Sequence, residues 1–342
     1  MSNTPWRQPI TGHMAWRSAD IQSKSRFTHR LSEVHLQELD RFVARVGDKP
    51  VEAISYDDIA APELLTFMAG ARDEVMQGYG MVIITGVDFE RYSRPQFERI
   101  SWALGLYFGN PISQSVFGER IAHVRKEDHN PSGRGYRTDN ELTCHTDTPD
   151  VLALMCIQTA KEGGLSTAVS ALTLHNEILA HHPEHFEPLY RGYPFYRLGQ
   201  ELPGQLPVSE YNVPVYCNVN GVVSCMYVPH LLRKAQAAMG ETMPDDLVAA
   251  MAYFDELCVR PDLALSYAFD RGDIFFINNR TLLHSRTAYK DYDEPDRKRD
   301  LLRLWIDVPQ GQRPIVPEMD PYQQPLSGGR GGVMHQPDKM AA

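Results

Sequence analysis

No Cys-x-x-Cys pair occurs in this 342-residue chain. Its five cysteines, Cys144, Cys156, Cys217, Cys225 and Cys258, are odd in number and match no zinc-ligand spacing. They read as small buried hydrophobes of a reducing compartment. No uninterrupted apolar run approaches the length of a membrane span. Residues 1–17 carry polar side chains throughout and lack the apolar stretch of a signal peptide. Both absences lead to the expectation of a cytoplasmic protein with no membrane partner. Basic residues are in deficit, 34 Lys and Arg against 44 Asp and Glu, for a net charge of −10. That balance argues against nucleic-acid binding, which rests on clustered cations. Regular βαβ alternation is missing, which argues against a doubly wound sheet. No internal repeat is visible.

What is present suits a soluble globular chain, with 42% hydrophobic and 23% charged residues and length enough for a sizeable core. Helical apolar stripes run over 33–46, 61–77, 94–104, 172–180 and 244–259. The first shows the pattern well: Ser32 is placed to cap it, Leu36, Leu39, Val43 and Val46 form its stripe, and Gly47 stops it. Strand-like runs cover 81–85, 121–125, 151–158, 165–169, 273–278, 281–286 and 301–308. Two more flank Asn220-Gly221, a hairpin signal. Helices first and then many strands indicate a mainly β fold with helical additions, a double-sheet jelly roll. The expected organisation is an irregular N-terminal arm over 1–30, one domain over 31–310, and a C-terminal tail over 311–342. Pro314, Pro317, Pro321, Pro325 and the run Gly328-Gly329-Arg330-Gly331-Gly332 predict a loosely wrapped tail. The polar segment 126–140 reads either as a lid or as a plain surface loop.

The chemistry-bearing stretch is Leu142-Thr143-Cys144-His145-Thr146-Asp147. On a strand, His145 and Asp147 share a face and Cys144 turns away. Two histidines and one carboxylate make the open facial site of non-haem Fe(II). Alone, the pair is as readily a surface or turn accident. His284, on a later strand, is a candidate third ligand or a hydrogen-bonded core histidine. His181, His182 and His185 flank Pro183 in a polar exit from a helix and read as solvated. From 299 to 308 the even positions Leu302, Leu304, Ile306 and Val308 are apolar, while Arg299, Leu301, Arg303, Trp305 and Asp307 occupy the other face. Arginines facing into a barrel require anions, because an unpaired buried charge is too costly. A ligand carboxylate would supply one through a bidentate pair. An edge strand with solvated arginines, or pairing with protein acids, would serve equally.

Taken in order, His145-Thr146-Asp147, Gly163-Gly164-Leu165-Ser166-Thr167, His284 and Arg299-x-x-x-Arg303 resemble the taurine-dioxygenase (TauD/TfdA) family of Fe(II)/2-oxoglutarate oxygenases. The resemblance spans roughly residues 78–308. It implies a double-stranded β-helix, with His145, Asp147 and His284 as Fe(II) ligands and with 2-oxoglutarate and O₂ as cosubstrates. It implies that Arg299 holds the distal carboxylate of 2-oxoglutarate with Ser166, Thr167 being the competing hydroxyl. Arg303 would contact an anionic group of the substrate or support Arg299. The implied reaction oxidises an unactivated C–H bond of a small polar or amino-acid-like molecule, giving succinate and CO₂. Hydroxylation is the default outcome. Related halogenases leave the carboxylate position open for chloride, so Asp147 argues against halogenation. Action on a carrier-tethered amino acid, desaturation or cyclisation, and a non-catalytic jelly-roll binding protein are the alternatives.

Overall fold

The computed structural model describes residues 3–128, 134–324 and 328–340. In chain order its main elements are β1 (Thr28–Arg30), α1 (Glu33–Val46), α2 (Pro62–Gln77), β2 (Met81–Thr85), α3 (Arg94–Leu106), β3 (Asn110–Ile112), β4 (Ile121–Val124), β5 (Leu142–His145), β6 (Val151–Gln158), β7 (Ser166–Ser170), α4 (Ala171–His181), α5 (Pro229–Met239), α6 (Asp245–Cys258), β8 (Ala264–Tyr267), β9 (Ile274–Asn278), β10 (Leu282–Arg286) and β11 (Asp300–Asp307). A seven-stranded sheet has the order β1-β2-β9-β6-β11-β3, with β4 also on β11. A four-stranded sheet has the order β8-β7-β10-β5.

Side-chain alternation decides what each face of the larger sheet meets. On β9, Ile274 and Phe276 join Leu39, Phe42, Leu64, Met68 and Phe97 of α1–α3 in one core. Phe275 and Ile277 join the second core, which also takes in the smaller sheet. The same division holds on β11. Leu302, Leu304 and Ile306 pack with the helices, whereas Leu301 and Trp305 face the interior between the sheets. The expected mainly β jelly roll with helical additions is therefore the observed architecture.

Local signals explain most elements. Ser32 caps α1 and Gly47, at φ 51°, ends it. Asn220 and Gly221 both adopt positive φ, 53° and 84°, as a tight hairpin turn requires. The strands they join are Tyr216–Val219 and Val222–Cys225. Neither α5 nor the hairpin of Tyr193–Tyr196 with Val208–Val213 was expected. The apolar side chains of α5 are few, and tertiary packing of Leu231, Leu232 and Ala235 holds it.

Both chain ends depart from expectation. The arm is not irregular throughout: Trp16 and Phe27 enter the core, and β1 pairs in parallel with β2. In the tail, Val316, Met319, Tyr322 and Val333 are buried, so its described residues are packed rather than loose. Proline content misleads here because the tail uses side-chain anchors instead of sheet pairing. Pro325 lies outside the described residues. The largest anchor is Asp150, which accepts from Arg280 Nε at 3.2 Å, Arg330 Nε at 2.9 Å, Gln312 Nε2 at 2.9 Å and the Val308 amide at 3.2 Å. Burial opposes ionisation of Asp150, but Arg280 and Arg330 outweigh it and its pKa is lowered. Stability from this group is thus complete above the ordinary carboxylate range and is lost as pH falls through the depressed value. Asp150→Ala strands the buried Arg280 and the half-buried Arg330 and is expected to cost about 3–5 kcal/mol, read as a lower urea midpoint.

Candidate active site

The two histidines meet through strand register. His284 on β10 lies directly opposite His145 on β5. Their rings sit 4.4 Å apart. Asp147 is not on the strand, as the sequence reading had it, but in the turn just after β5. Its position is kept by two hydrogen bonds of the preceding residue: the Thr146 amide donates to Tyr227 O at 2.8 Å, and the Tyr227 amide donates to the Thr146 side-chain Oγ1 at 3.0 Å. The Asp147 amide donates to Asn279 Oδ1 at 3.2 Å. The outcome is a triad whose potential ligand atoms all lie within 4.8 Å of one another. A second close group, His182, Glu184 and His185, is partly exposed and outside the cavity described below.

Protonation states suit a metal. A carbonyl can only accept, so His145 Nδ1 carries the proton donated to Thr143 O at 2.7 Å, which leaves Nε2 with its lone pair. His284 is pushed down to about 3 by burial and by His145, so it is neutral. Its Nδ1 is buried without a hydrogen-bond partner among the described residues. Burial opposes charge on Asp147, but Arg303, His284, His145 and a hydrogen bond from Trp305 Nε1 at 3.0 Å outweigh it and lower its pKa. Two imidazoles and one carboxylate, lining one cavity, are the donor set for Fe(II).

The triad opens on a cavity of about 400 Å³ between the two sheets. Ser166, Arg286 and Tyr267 form one row across the smaller sheet, beside the row of His145 and His284. Ser166 therefore faces the cavity. Thr167 lies one residue on and is turned to the opposite face, where Oγ1 meets Ser266 Oγ at 3.1 Å. The competing hydroxyl is thus not in the cavity, a direct result of the two-residue period of a strand.

The inward face of β11 behaves as its alternation predicts. Arg299, Arg303 and Trp305 all line the cavity, but the two arginines differ. Arg303 Nε donates to Gln114 Oε1 at 2.7 Å, its Nη1 is 3.8 Å from Asp147 Oδ2, and its guanidinium lies over Tyr136 and Trp305. Arg299 has a backbone acceptor, Val124 O at 3.2 Å, and burial lowers its pKa. Arg286 was not expected. It follows His284 by two residues and so shares its face, a signal that was available in the alternation. Burial, then Arg299, pushes Arg286 down to about 10. Its Nε and Nη1 lack partners among the described residues, as does the hydroxyl of Tyr289. Both guanidiniums lie over the Tyr289 ring, at 4.7 and 5.0 Å from its centroid. Among the described lining residues, five cations (Arg134, Lys234, Arg286, Arg299 and Arg303) face two acids, Glu141 and Asp147. An acidic protein thus carries a positive cavity, suited to anionic occupants. Of the 126–140 segment, residues 129–133 lie outside the described residues, and Tyr136 is buried against the cavity. No described helix is long and apolar enough to cross a membrane.

Comparison with known proteins identifies the family. The family model for "Taurine catabolism dioxygenase TauD, TfdA family" matches residues 45–305. FR-33289 synthase of Streptomyces rubellomurinus is 28% identical over 316 residues, covering 90% of this chain and 93% of that protein. Among solved structures, asparagine oxygenase in complex with Fe(II), 2S,3S-3-hydroxyasparagine and succinate superposes with a TM-score of 0.61 at 15% identity, over 84% of this chain and 98% of that one. The non-haem iron oxygenase OrfP in complex with Fe, succinate and (3S)-hydroxy-L-Arg does so with a TM-score of 0.62 at 13% identity, over 89% and 98%. Matched over well more than half its length, the chain belongs to the TauD/TfdA family and is a non-haem Fe(II)/2-oxoglutarate-dependent oxygenase.

Proposed function

We propose that the protein hydroxylates an unactivated C–H bond of a small amino-acid-like molecule. His145, Asp147 and His284 hold Fe(II), and Arg299 with Ser166 holds the distal carboxylate of 2-oxoglutarate. The observation that carries this reading is the placement of a three-ligand group at one wall of a cavity that also presents Arg299 and Arg286 without ion-paired carboxylates among the described residues. Fe(II) with 2-oxoglutarate, when bound, supplies the oxygen activation, with succinate and CO₂ as coproducts.

The protein's own part is positioning and exclusion of water. Thr143 O fixes the tautomer and angle of His145. Trp305 and Arg303 keep Asp147 ionised and oriented. Arg299, backed by the charge of Arg286, favours a carboxylate at the cavity's end, where bidentate pairing gives orientation as well as affinity. Tyr136, Trp305 and Tyr322 give aromatic walls that keep bulk water from the reacting carbon. The hydroxyamino acids in the asparagine oxygenase and OrfP complexes support the substrate class. The acidic net charge supports a small-molecule partner rather than a nucleic acid, and five free, buried cysteines support a cytoplasmic setting.

The test is direct. Purified protein given Fe(II), 2-oxoglutarate and O₂ is expected to release succinate slowly alone and faster with one member of an amino-acid panel. The matching product should gain one oxygen atom by mass spectrometry. A product lacking two hydrogens would instead reveal desaturation or cyclisation. Absence of succinate with every panel member, together with no anaerobic Fe(II) affinity, would sink the enzymatic assignment of these residues.

A further inference from the structure

The family match stops at residue 305, and the described tail begins beyond it. The tail nevertheless reaches the cavity at one place and the triad's turn at another. Tyr322 is buried and lines the same cavity as His145, Asp147 and His284. Its backbone neighbours are tied on both sides. Arg197 Nε donates to Pro321 O at 3.1 Å, and Gln324 Nε2 donates to Gln200 O at 2.7 Å. Phe195 meets the Tyr322 ring edge-on, at 6.0 Å between centroids. These ties hold the ring as a fixed wall.

The second contact involves the glycine-rich run. Arg330 donates to Asp150 Oδ1, and Thr148 Oγ1 donates to Gly331 O at 2.8 Å. Gly331 has φ +80°, and a Cβ there would lie 2.3 Å from Thr148 O, so this approach needs glycine. Thr148 and Asp150 belong to the turn that starts with Asp147. The Gly-Gly-Arg-Gly-Gly run thus grips the turn that presents the carboxylate of the triad. Phosphate binding does not account for it, since Arg330 is spent on a protein acid.

We infer that the C-terminal segment is a working part of the active site: Arg330 positions the turn bearing Asp147, and Tyr322 is a specificity-determining wall of the substrate cavity. For its substrate arm, this rests on the amino-acid reading above. The segment's anchors are side chains and single glycines, so variation outside the family core can reshape the cavity without altering the metal ligands.

Full-length variants separate the two roles. Anaerobic titration with Co(II), followed by its visible spectrum, reads the ligand turn without any turnover. Arg330→Met is expected to weaken Co(II) binding about tenfold or more, the range for residues that orient a metal ligand, with Arg330→Lys intermediate. Tyr322→Ala is expected to hold Co(II) affinity while raising KM for the best panel amino acid roughly tenfold and moving bulkier amino acids up the ranking. Wild-type Co(II) affinity in Arg330→Met overturns the positioning role. An unaltered ranking in Tyr322→Ala, or a parallel loss of Co(II) affinity there, overturns the wall. If Arg330→Met does not fold, Arg330→Lys decides alone, and wild-type affinity in it overturns the role. If the wild-type protein accepts no amino acid, the substrate class and the specificity role based on it both fall, while the Co(II) titration still decides the role of Arg330.

Discussion

Arg299→Ala is expected to raise the dissociation constant of 2-oxoglutarate roughly a hundredfold while metal affinity changes little. Removing one partner of a desolvated ion pair costs ~3 kcal/mol, and each ~1.4 kcal/mol is a factor of ten. The choice of Arg299 over Arg303 follows from their surroundings. Arg303 already has a counter-anion, with Asp147 near Nη1, Gln114 on Nε and aromatic rings on its faces, and only its Nη2 lacks a partner among the described residues. Arg299 has a main-chain carbonyl and the face of Tyr289, and neither neutralises a buried cation. Equilibrium titration of the Fe(II)-loaded protein under anaerobic conditions measures the effect. 2-Oxovalerate, which lacks the distal carboxylate, should bind the wild type and Arg299→Ala alike. A hundredfold loss in Arg303→Ala with none in Arg299→Ala would move the anchor to Arg303.

Asp147→Asn has a still larger expected effect. The amide keeps the shape but removes the negative ligand atom and the anion beside Arg303. Metal affinity should fall by more than about a hundredfold, since even a partner of a ligand costs up to that much. Succinate formation should fall with it. The metal-free variant should also be less stable by ~3 kcal/mol, because breaking a buried pair leaves the Arg303 charge uncompensated. Co(II) titration and urea unfolding report these two effects separately. Unchanged metal affinity would remove Asp147 from the ligand set.

The legible parts of the site share one property: they lie on regular strands, where a period of two sorts residues by face. Alternation from 299 to 308 separated the helix-packed Leu302, Leu304 and Ile306 from Arg303 and Trp305 before any contact was known. The same rule decides between Ser166 and Thr167 once the strand's inward face is identified. It also marks Arg286, two residues after His284, although that position was not singled out. The conformation of Asp147 was not legible, because β5 ends at His145 and the turn's shape depends on pairing with Tyr227.

The tail's packing is not legible in the sequence for a related reason. Proline and glycine report a lack of regular backbone pairing, and the tail indeed forms no strand among its described residues. They do not report side-chain anchoring, and Arg330 on Asp150 is such an anchor. Nothing near residue 330 in the chain names its partner 180 residues away.

The sequence by itself determined most kinds of element, the division of β11 into two faces, and the order of two histidines, one aspartate and two arginines that marks the family. Those features are local or periodic, so covalent neighbours suffice to reveal them. Tertiary structure alone decided that His145 and His284 stand opposite one another, that Arg286 joins Arg299, and that the tail closes on the cavity. These depend on how separate elements pack together, His145 with His284 and the tail with the cavity across more than a hundred residues of chain, and that geometry arises only when both sheets have formed.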